Sequence, residues 1–469
     1  MFTSLHLFVY FSLLNYGFSN AISLRTTDLP LEDLIYVQAI WRHGDRAPHQ
    51  LPYPTDLNDE SSWPRGWSQL TNTGMKQLYD LGLFFRKRYN DYVGEFTPAN
   101  VRIVTSRSDR AIVSAQAMLR GLFPAENPLT QWLKGEQWQP IPFHTESIER
   151  NAPLLHPTLH NCSHYDKLVK NEMAVIVGAM MRKYSDVVQF LANVTGIGEK
   201  LNFGRIAALI DIQREIAHQL PQSAWVYRKW PELNNMSTID IITEFKRVSQ
   251  ISKYDTLEKA RFKGGLLLGE MLNRFQNVSA GVGVEARKMF LYSAHDATIL
   301  SLQHALNVGN GLLVPYSACL IIELYRAEEN KTVVKILYKN ETENADAHEL
   351  FVPGCSAPCT LHQLIRLSAP VILNKLDDLN EVIRLFCFTR PVDINGLRPQ
   401  SLAKYIVFLY EKKRADKKIL LKLLRKFPII STKAFSRKNN LSKYYISARI
   451  QKAVSAATSS VMMQVNMLQ

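Results

Sequence analysis

The stretch Ile35-Tyr-Val-Gln-Ala-Ile-Trp-Arg-His-Gly-Asp-Arg-Ala-Pro48 decides how the rest of the chain is read. Its first half, through Trp41, is rich in β-branched and aromatic residues, which suits a buried strand rather than a helix. Gly44 and Pro48 then break the run. Packed into that turn are Arg42, His43, Asp45 and Arg46. In an open α/β sheet, ligands bind at the carboxyl ends of strands. A strand that ends in a histidine flanked by arginines is therefore set up to meet an anion. A guanidinium matches phosphate oxygens two at a time and stays charged at any working pH. A neutral imidazole nitrogen is a competent nucleophile toward phosphorus. Together these groups can hold a phosphoryl group and attack it without a metal. The competing reading makes His43 a satisfied core histidine and the arginines solvated surface residues.

Two further strand ends extend the pattern. Val101–Thr105 alternates and reads as a strand. It runs through Ser106-Arg107-Ser108-Asp109-Arg110 into a helix predicted over Ala111–Leu122, whose free N–H groups would favour an anion. Lys288–Ser293 reads as another strand, ending at Ala294-His295-Asp296, with a helix predicted from Thr298 to Leu306. His295 can donate hydrogen bonds to phosphoryl oxygens. Asp296, if protonated, can give its proton to a leaving alkoxide. After the first strand, Thr73 is the predicted N-cap of an amphipathic helix carrying Leu78, Leu81, Phe85 and Tyr89. Arg86, Lys87 and Arg88 near its C-terminal end suit the helix dipole and are expected to be a solvated face.

The motifs carry a resemblance. Arg42-His43-Gly44-Asp45-Arg46-Ala47-Pro48 resembles the RHGxRxP motif of the histidine acid phosphatases, and Tyr292-Ser-Ala-His-Asp296 resembles the family's second motif. The likeness runs over roughly residues 33–370, through Asn310-Gly-Leu-Leu-Val-Pro-Tyr316, the strand Cys319–Tyr325 and Val352-Pro-Gly-Cys355. It implies a mixed central α/β sheet with helices on both faces and a smaller helical insertion domain, as in phosphoglycerate mutase-like folds. It also implies hydrolysis of small phosphate monoesters in two steps, with no cofactor, no metal and no nucleic-acid partner. In that scheme His43 is the nucleophile that becomes phosphorylated and Asp296 the proton donor. Arg42, Arg46, Arg110 and His295 bind the phosphate. Arg110 is the third arginine by resemblance; Arg107, its rival, is expected at the surface. Activity should then favour acid pH. A narrower substrate on the same fold (an inositol polyphosphate or a lysophosphatidic acid) and a non-catalytic secreted binding protein are the alternatives. A near-neutral body argues mildly against a polyphosphate. Some family members are dimers, which makes a homodimer conceivable here.

Composition sets the context. The chain has 469 residues, 46% of them hydrophobic, and a net charge of +14. Residues 371–469 hold 19 Lys and Arg against 6 Asp and Glu, and the first 370 residues hold 37 against 36. The basic excess therefore belongs to the tail. Leu5–Leu14 is apolar but too short to span a bilayer, and the small residues after it suit signal cleavage ending at Ser19 or Ala21. The expected organisation is a signal segment over 1–21, an α/β catalytic domain over 22–139 and 256–370, a helical cap over 140–255 and a basic tail over 371–469.

Within the cap the helical patterns are Asp166–Arg182, Val187–Leu191, Ile206–Gln219 and Ile239–Val248. Its histidines (His144, His156, His160, His164, His218) lack metal-ligand spacing and read as surface or core residues. In the tail, Lys412–Phe427 patterns as a basic amphipathic helix of the kind that lies on anionic membrane surfaces. The competing reading is an extension without structure or role. No stretch is long and apolar enough for a transmembrane helix.

Six sequons, headed by Asn161, Asn193, Asn235, Asn277, Asn330 and Asn340, with Asn440 in the tail, fit a glycoprotein of the secretory pathway, extracellular or lysosomal. Cys355 and Cys359 are close enough for a local disulfide, like one in the family. The family would pair Cys162 with a cysteine near its C-terminus, for which Cys387 is a candidate, and Cys319 with one in mid-chain. No cysteine lies between 162 and 319, so one thiol is left over.

Overall fold

The structure, a computed structural model, describes residues 29–373 apart from 130, 146–153, 158–162, 329–330 and 342–345. The predicted signal segment, the basic tail beyond Leu373, Asn161, Asn330, Asn440, Cys162 and Cys387 lie outside the described residues, while Val371 and Leu373, assigned to that tail, are buried in the body. The described residues other than 163–168 fall in one compact unit.

In chain order the elements are β1 (Leu34–Arg42), α1 (Asn72–Val93), β2 (Val101–Thr105), α2 (Asp109–Leu122), β3 (His144–Thr145), α3 (Ser163–Lys183), α4 (Ser185–Val194), α5 (Phe203–Ala208) and α6 (Ile212–Ala217). They continue with β4 (Lys229–Trp230), β5 (Met236–Ser237), α7 (Thr238–Ile251), α8 (Leu257–Ser279), β6 (Met289–Ala294), α9 (Asp296–Ala305) and β7 (Cys319–Arg326). Last come β8 (Thr332–Lys339), β9 (His348–Leu350), β10 (Cys359–Thr360) and α10 (Leu361–Ser368).

The sheet order is β10-β8-β7-β1-β6-β2-β3, with β9 paired to β8. β1, β6, β2 and β3 run parallel, and β7, β8 and β10 pair antiparallel outward from β1. Because β1 is covered on both faces, its sequence reads as a continuous apolar run. Tyr36 and Ile40 enter a core with α8 and α9, while Val37, Ala39 and Trp41 enter the opposite core with α1 and α2. Each large side chain so buried contributes about 1.5–3 kcal/mol. The mixed sheet with helices on both faces is the architecture the motifs imply. A third core, built on Leu191, Ile206, Ile212, Ile242 and Phe245, holds the helical segment between β3 and α8 together.

Register places the site. Trp41 pairs with Ser293 and Arg42 with Ala294, and Thr105 pairs with Ser293 from the other side. Three parallel strands therefore end level. His43 N–H donates to the Ala294 carbonyl at 3.0 Å and Ser106 N–H to the Ser293 carbonyl at 3.0 Å. The first turn of α1 meets the motif loop backbone to backbone. A Cβ on Gly44 would overlap the Gly74 carbonyl, and one on Gly74 the Asp45 carbonyl, so both positions need glycine.

Several local expectations change. The N-cap of α1 is Thr71, not Thr73; its hydroxyl accepts from Gly74 N–H at 3.0 Å. The predicted helix Ile206–Gln219 is broken into α5 and α6 by a 3₁₀ turn over Leu209–Asp211. The helix predicted from Thr298 begins two residues earlier, at Asp296. Arg88 is not part of a solvated face. Its guanidinium forks onto Glu323 at 2.7 and 3.0 Å, and that carboxylate is fully buried on β7. Cys355 and Cys359 form a disulfide with Cα atoms 5.4 Å apart, and Cys319 is a buried free thiol. Asn193, Asn235 and Asn277 are exposed, and Asn340 lies at the wall of the main cavity. No described helix is long and apolar enough to cross a membrane.

Candidate active site

A cavity of about 1290 Å³ opens over the level ends of β1, β6 and β2. Arg42, His43, Arg46, Arg110, His295 and Asp296 all line it, so the three strand ends bring the predicted catalytic and phosphate-binding residues to one place. Arg107 is exposed and lies outside the lining.

His43 is 3% exposed. Its Nδ1 lies 2.8 Å from the Gly44 carbonyl, which can only accept. Nδ1 therefore carries the proton, and the Nε2 lone pair is left free. Burial holds the imidazole well below its ordinary pKa, and the charges of Arg42, His295 and Arg110 push the same way.

The guanidiniums are held mostly by backbone carbonyls rather than by carboxylates. Arg42 donates to Val314 O at 2.6 Å and stacks 4.0 Å over the Tyr316 ring, with Asp296 no nearer than 3.9 Å. Arg46 donates to Ala47 O at 2.7 Å. The buried Nε atoms of Arg42 and Arg110 have no hydrogen-bond partner among the described residues. Burial lowers the pKa of Arg46 and of Arg110; for Arg110 the Asp296 charge opposes the shift, and nearby arginines add to it in both. Cations gathered this closely with so little counter-charge are a receptor for an anion.

His295 accepts or donates at 2.8 Å with Ser106 Oγ, and the His156 ring lies 4.1 Å from its centroid. Burial, then His156 and Arg110, lower its pKa. Asp296 receives Ala297 N–H at 2.8 Å and Gln250 Nε2–H at 3.4 Å. Confinement works to raise its pKa, but Arg42, Lys246 and the Ala297 N–H outweigh it and hold the carboxyl below its ordinary range. Asp45, the motif's acid, takes a supporting position. It receives Thr71 Oγ–H at 2.7 Å and lies 2.5 Å from His218 Nε2, tying the motif to α1 and α6.

Sequence reasoning missed Arg214, Lys246 and Gln250, which reach the cavity from α6 and α7. Nothing in their helical patterns distinguishes them from surface residues. It also set His156 aside as an unremarkable histidine, although His156 faces His295. Tyr316 stood in a quoted segment without a role; its ring lies beside His43 and under Arg42.

Comparison with known proteins finds similarity to acid phosphatases. Prostatic acid phosphatase of Bos taurus is 34% identical over 350 residues, 73% of this chain and 86% of its own length. Lysosomal acid phosphatase of Xenopus laevis is 32% identical over 380 residues, covering 80% and 85%. Among solved structures, Hafnia alvei phytase in complex with tartrate superposes with a TM-score of 0.55 at 17% identity, over 73% of this chain and 97% of that one, a likeness of fold. The model of the histidine phosphatase superfamily (branch 2) matches residues 33–339, a span that holds both motifs and all three strand ends, and the chain belongs to that family.

Proposed function

We propose that the protein is an acid phosphatase that hydrolyses phosphate monoesters through a phosphohistidine at His43. The observation that carries this is the His43 ring itself, with Nδ1–H spent on Gly44 O and a free Nε2 among three arginines. A histidine whose pKa is lowered by burial and by adjacent cations stays nucleophilic at more acid pH than a solvent-exposed one.

In the first step Nε2 forms a bond to phosphorus while the ester oxygen leaves. Arg42, Arg46, Arg110 and His295 carry the charge on the equatorial oxygens. Asp296 gives the leaving alkoxide its proton. In the second step a water attacks phosphorus, Asp296 takes a proton from it, and the Nε2–phosphorus bond breaks to release phosphate. Arg42 and Lys246 hold the Asp296 carboxyl below its ordinary range, so its proton must arrive with the substrate. A phosphate seated against Arg42 offsets the charge that holds Asp296 down, and a monoanionic ester supplies the proton. The ester loses that proton near pH ~6, so activity should fall above it.

The segment Leu5–Leu14, the exposed sequons and the Cys355–Cys359 disulfide support action in the secretory pathway, extracellular or lysosomal. The test is turnover of phenyl phosphate at pH 5 beside His43→Ala, with acid-free quench and mapping of the labelled phosphoryl group. A label on any residue other than His43, or an active His43→Ala, refutes the reading.

A further inference from the structure

The cavity is far larger than a phosphate. The phosphoryl cradle comes from the strand ends. Further lining comes from α7, which sends Ile239, Ile241, Ile242 and Phe245 into the third core and turns Thr243, Lys246 and Gln250 to the cavity. Positions 243, 246 and 250 share one helix face. Two of these three residues have assigned partners. Thr243 accepts from Gln213 at 2.7 Å, and Gln250 donates to Asp296 at 3.4 Å. Lys246, one turn before Gln250, makes no hydrogen bond or ion pair with any described residue.

Its place on the reaction path follows from Asp296. That carboxyl must meet the leaving oxygen, so what flanks it faces the departing alcohol rather than the transferring phosphoryl group. Lys246 is such a flank: it shares a face with Gln250, which touches Asp296, and it feels the Asp296 charge more strongly than any other. Arg214, which also lines the cavity, is engaged elsewhere. Its guanidinium is already committed to Asp211 and, at 2.6 Å, to the Tyr316 hydroxyl.

Resting on the phosphatase reading above, we infer that Lys246 receives a second anionic group carried on the leaving alcohol. The preferred substrates are then phosphate monoesters whose alcohol bears a carboxylate or another phosphate within a few bonds of the ester oxygen. Burial lowers the ammonium to about 8, which leaves it charged throughout the acid range.

The experiment compares kcat/KM at pH 5 for 3-carboxyphenyl phosphate, 1,3-phenylene bisphosphate and the neutral 3-carbamoylphenyl phosphate. Each anionic ester should exceed the neutral one by about tenfold in the unmodified protein, the size of one charge-assisted hydrogen bond. Lys246→Met should bring that ratio close to one, and Lys246→Arg should keep most of it. Any common loss through Asp296 cancels in the ratio. An advantage for one anion alone supports the inference and names the group recognised. A ratio near one in the unmodified protein, which needs no variant to fold, overturns it, as does a ratio that Lys246→Met leaves intact. No turnover of any of the three esters would instead sink the phosphatase reading.

Discussion

Two arginine clusters on this sheet make opposite use of the same side chain. At the carboxyl end of β1, Arg42, Arg46 and Arg110 crowd a buried histidine, and among the described residues their nearest carboxylate is 3.9 Å away. On α1, Arg88 meets a fully buried carboxylate with two hydrogen bonds. Glu323 is satisfied further by Tyr89 Oη–H at 2.5 Å and Tyr325 Oη–H at 2.9 Å. The second cluster is electrically complete and serves the fold. The first is incomplete and costs stability until an anion arrives. Unbalanced charge, rather than charge as such, separates a site from a strut.

That contrast can be broken most severely at its centre. His43→Ala should cut kcat on the order of 10⁵-fold while leaving the thermal midpoint nearly unchanged, because the nucleophile acts as a unit with its cradle. Steady-state rates beside a melting curve check both halves. Removing one guanidinium tests the incomplete cluster. Arg110→Ala should lower kcat/KM by about 10²–10³, weaken inhibition by phosphate, and raise rather than lower stability, since a buried cation is relieved of like-charged neighbours. A stability loss would show that Arg110 has a structural partner after all.

The complete cluster should behave in the reverse way. Arg88→Met leaves Glu323 buried without a counter-charge, at a cost of about 3 kcal/mol of stability, with kcat per folded molecule unchanged. Urea unfolding with an active-site titration reads both. The smallest effect concerns a third kind of charge, the acid Glu215 on α6. It is fully buried and receives Asn58 Nδ2–H and Gln222 Nε2–H, each at 2.9 Å. Burial, offset in part by those two donors and helped by nearby Asp56, raises it to about 7. The folded protein thus holds a proton there that the unfolded chain gives up near 4.5. Its contribution is present at acid pH and is lost as pH rises from 4.5 through 7. Chemical denaturation at pH 5 and pH 7.5 should show this loss, and Glu215→Gln should flatten it.

Much of the site was readable because it lies where strand and turn signals coincide. Arg42, His43 and Arg46 follow a run of apolar residues too β-rich to be a helix, and His295 and Asp296 follow another. Residues at strand ends inherit their position from the sheet, and the sheet is written in apolar residues. What stayed hidden came from the helical segment. Arg214, Lys246 and Gln250 sit on amphipathic helices where a polar face is the ordinary state, and only packing tells which part of that face looks into a cavity. Arg88 was misread for the same reason. Its partner Glu323 lies 235 residues away, in the middle of an apolar strand, where a lone acid was the available clue. β8 went unread although Thr332–Lys339 is rich in β-branched residues, since it carries no chemistry to draw the eye.

The back-to-back glycines at 44 and 74 have a consequence for anyone wishing to transplant this chemistry. The loop bearing the nucleophile has no independent shape: its backbone lies against the opening turn of α1 with no room for a methyl group between them. Seven grafted residues would arrive on a new scaffold without the surface that moulds them. A working graft would have to bring the Thr71–Gly74 turn along, so the smallest portable unit is a pair of chain segments rather than a motif.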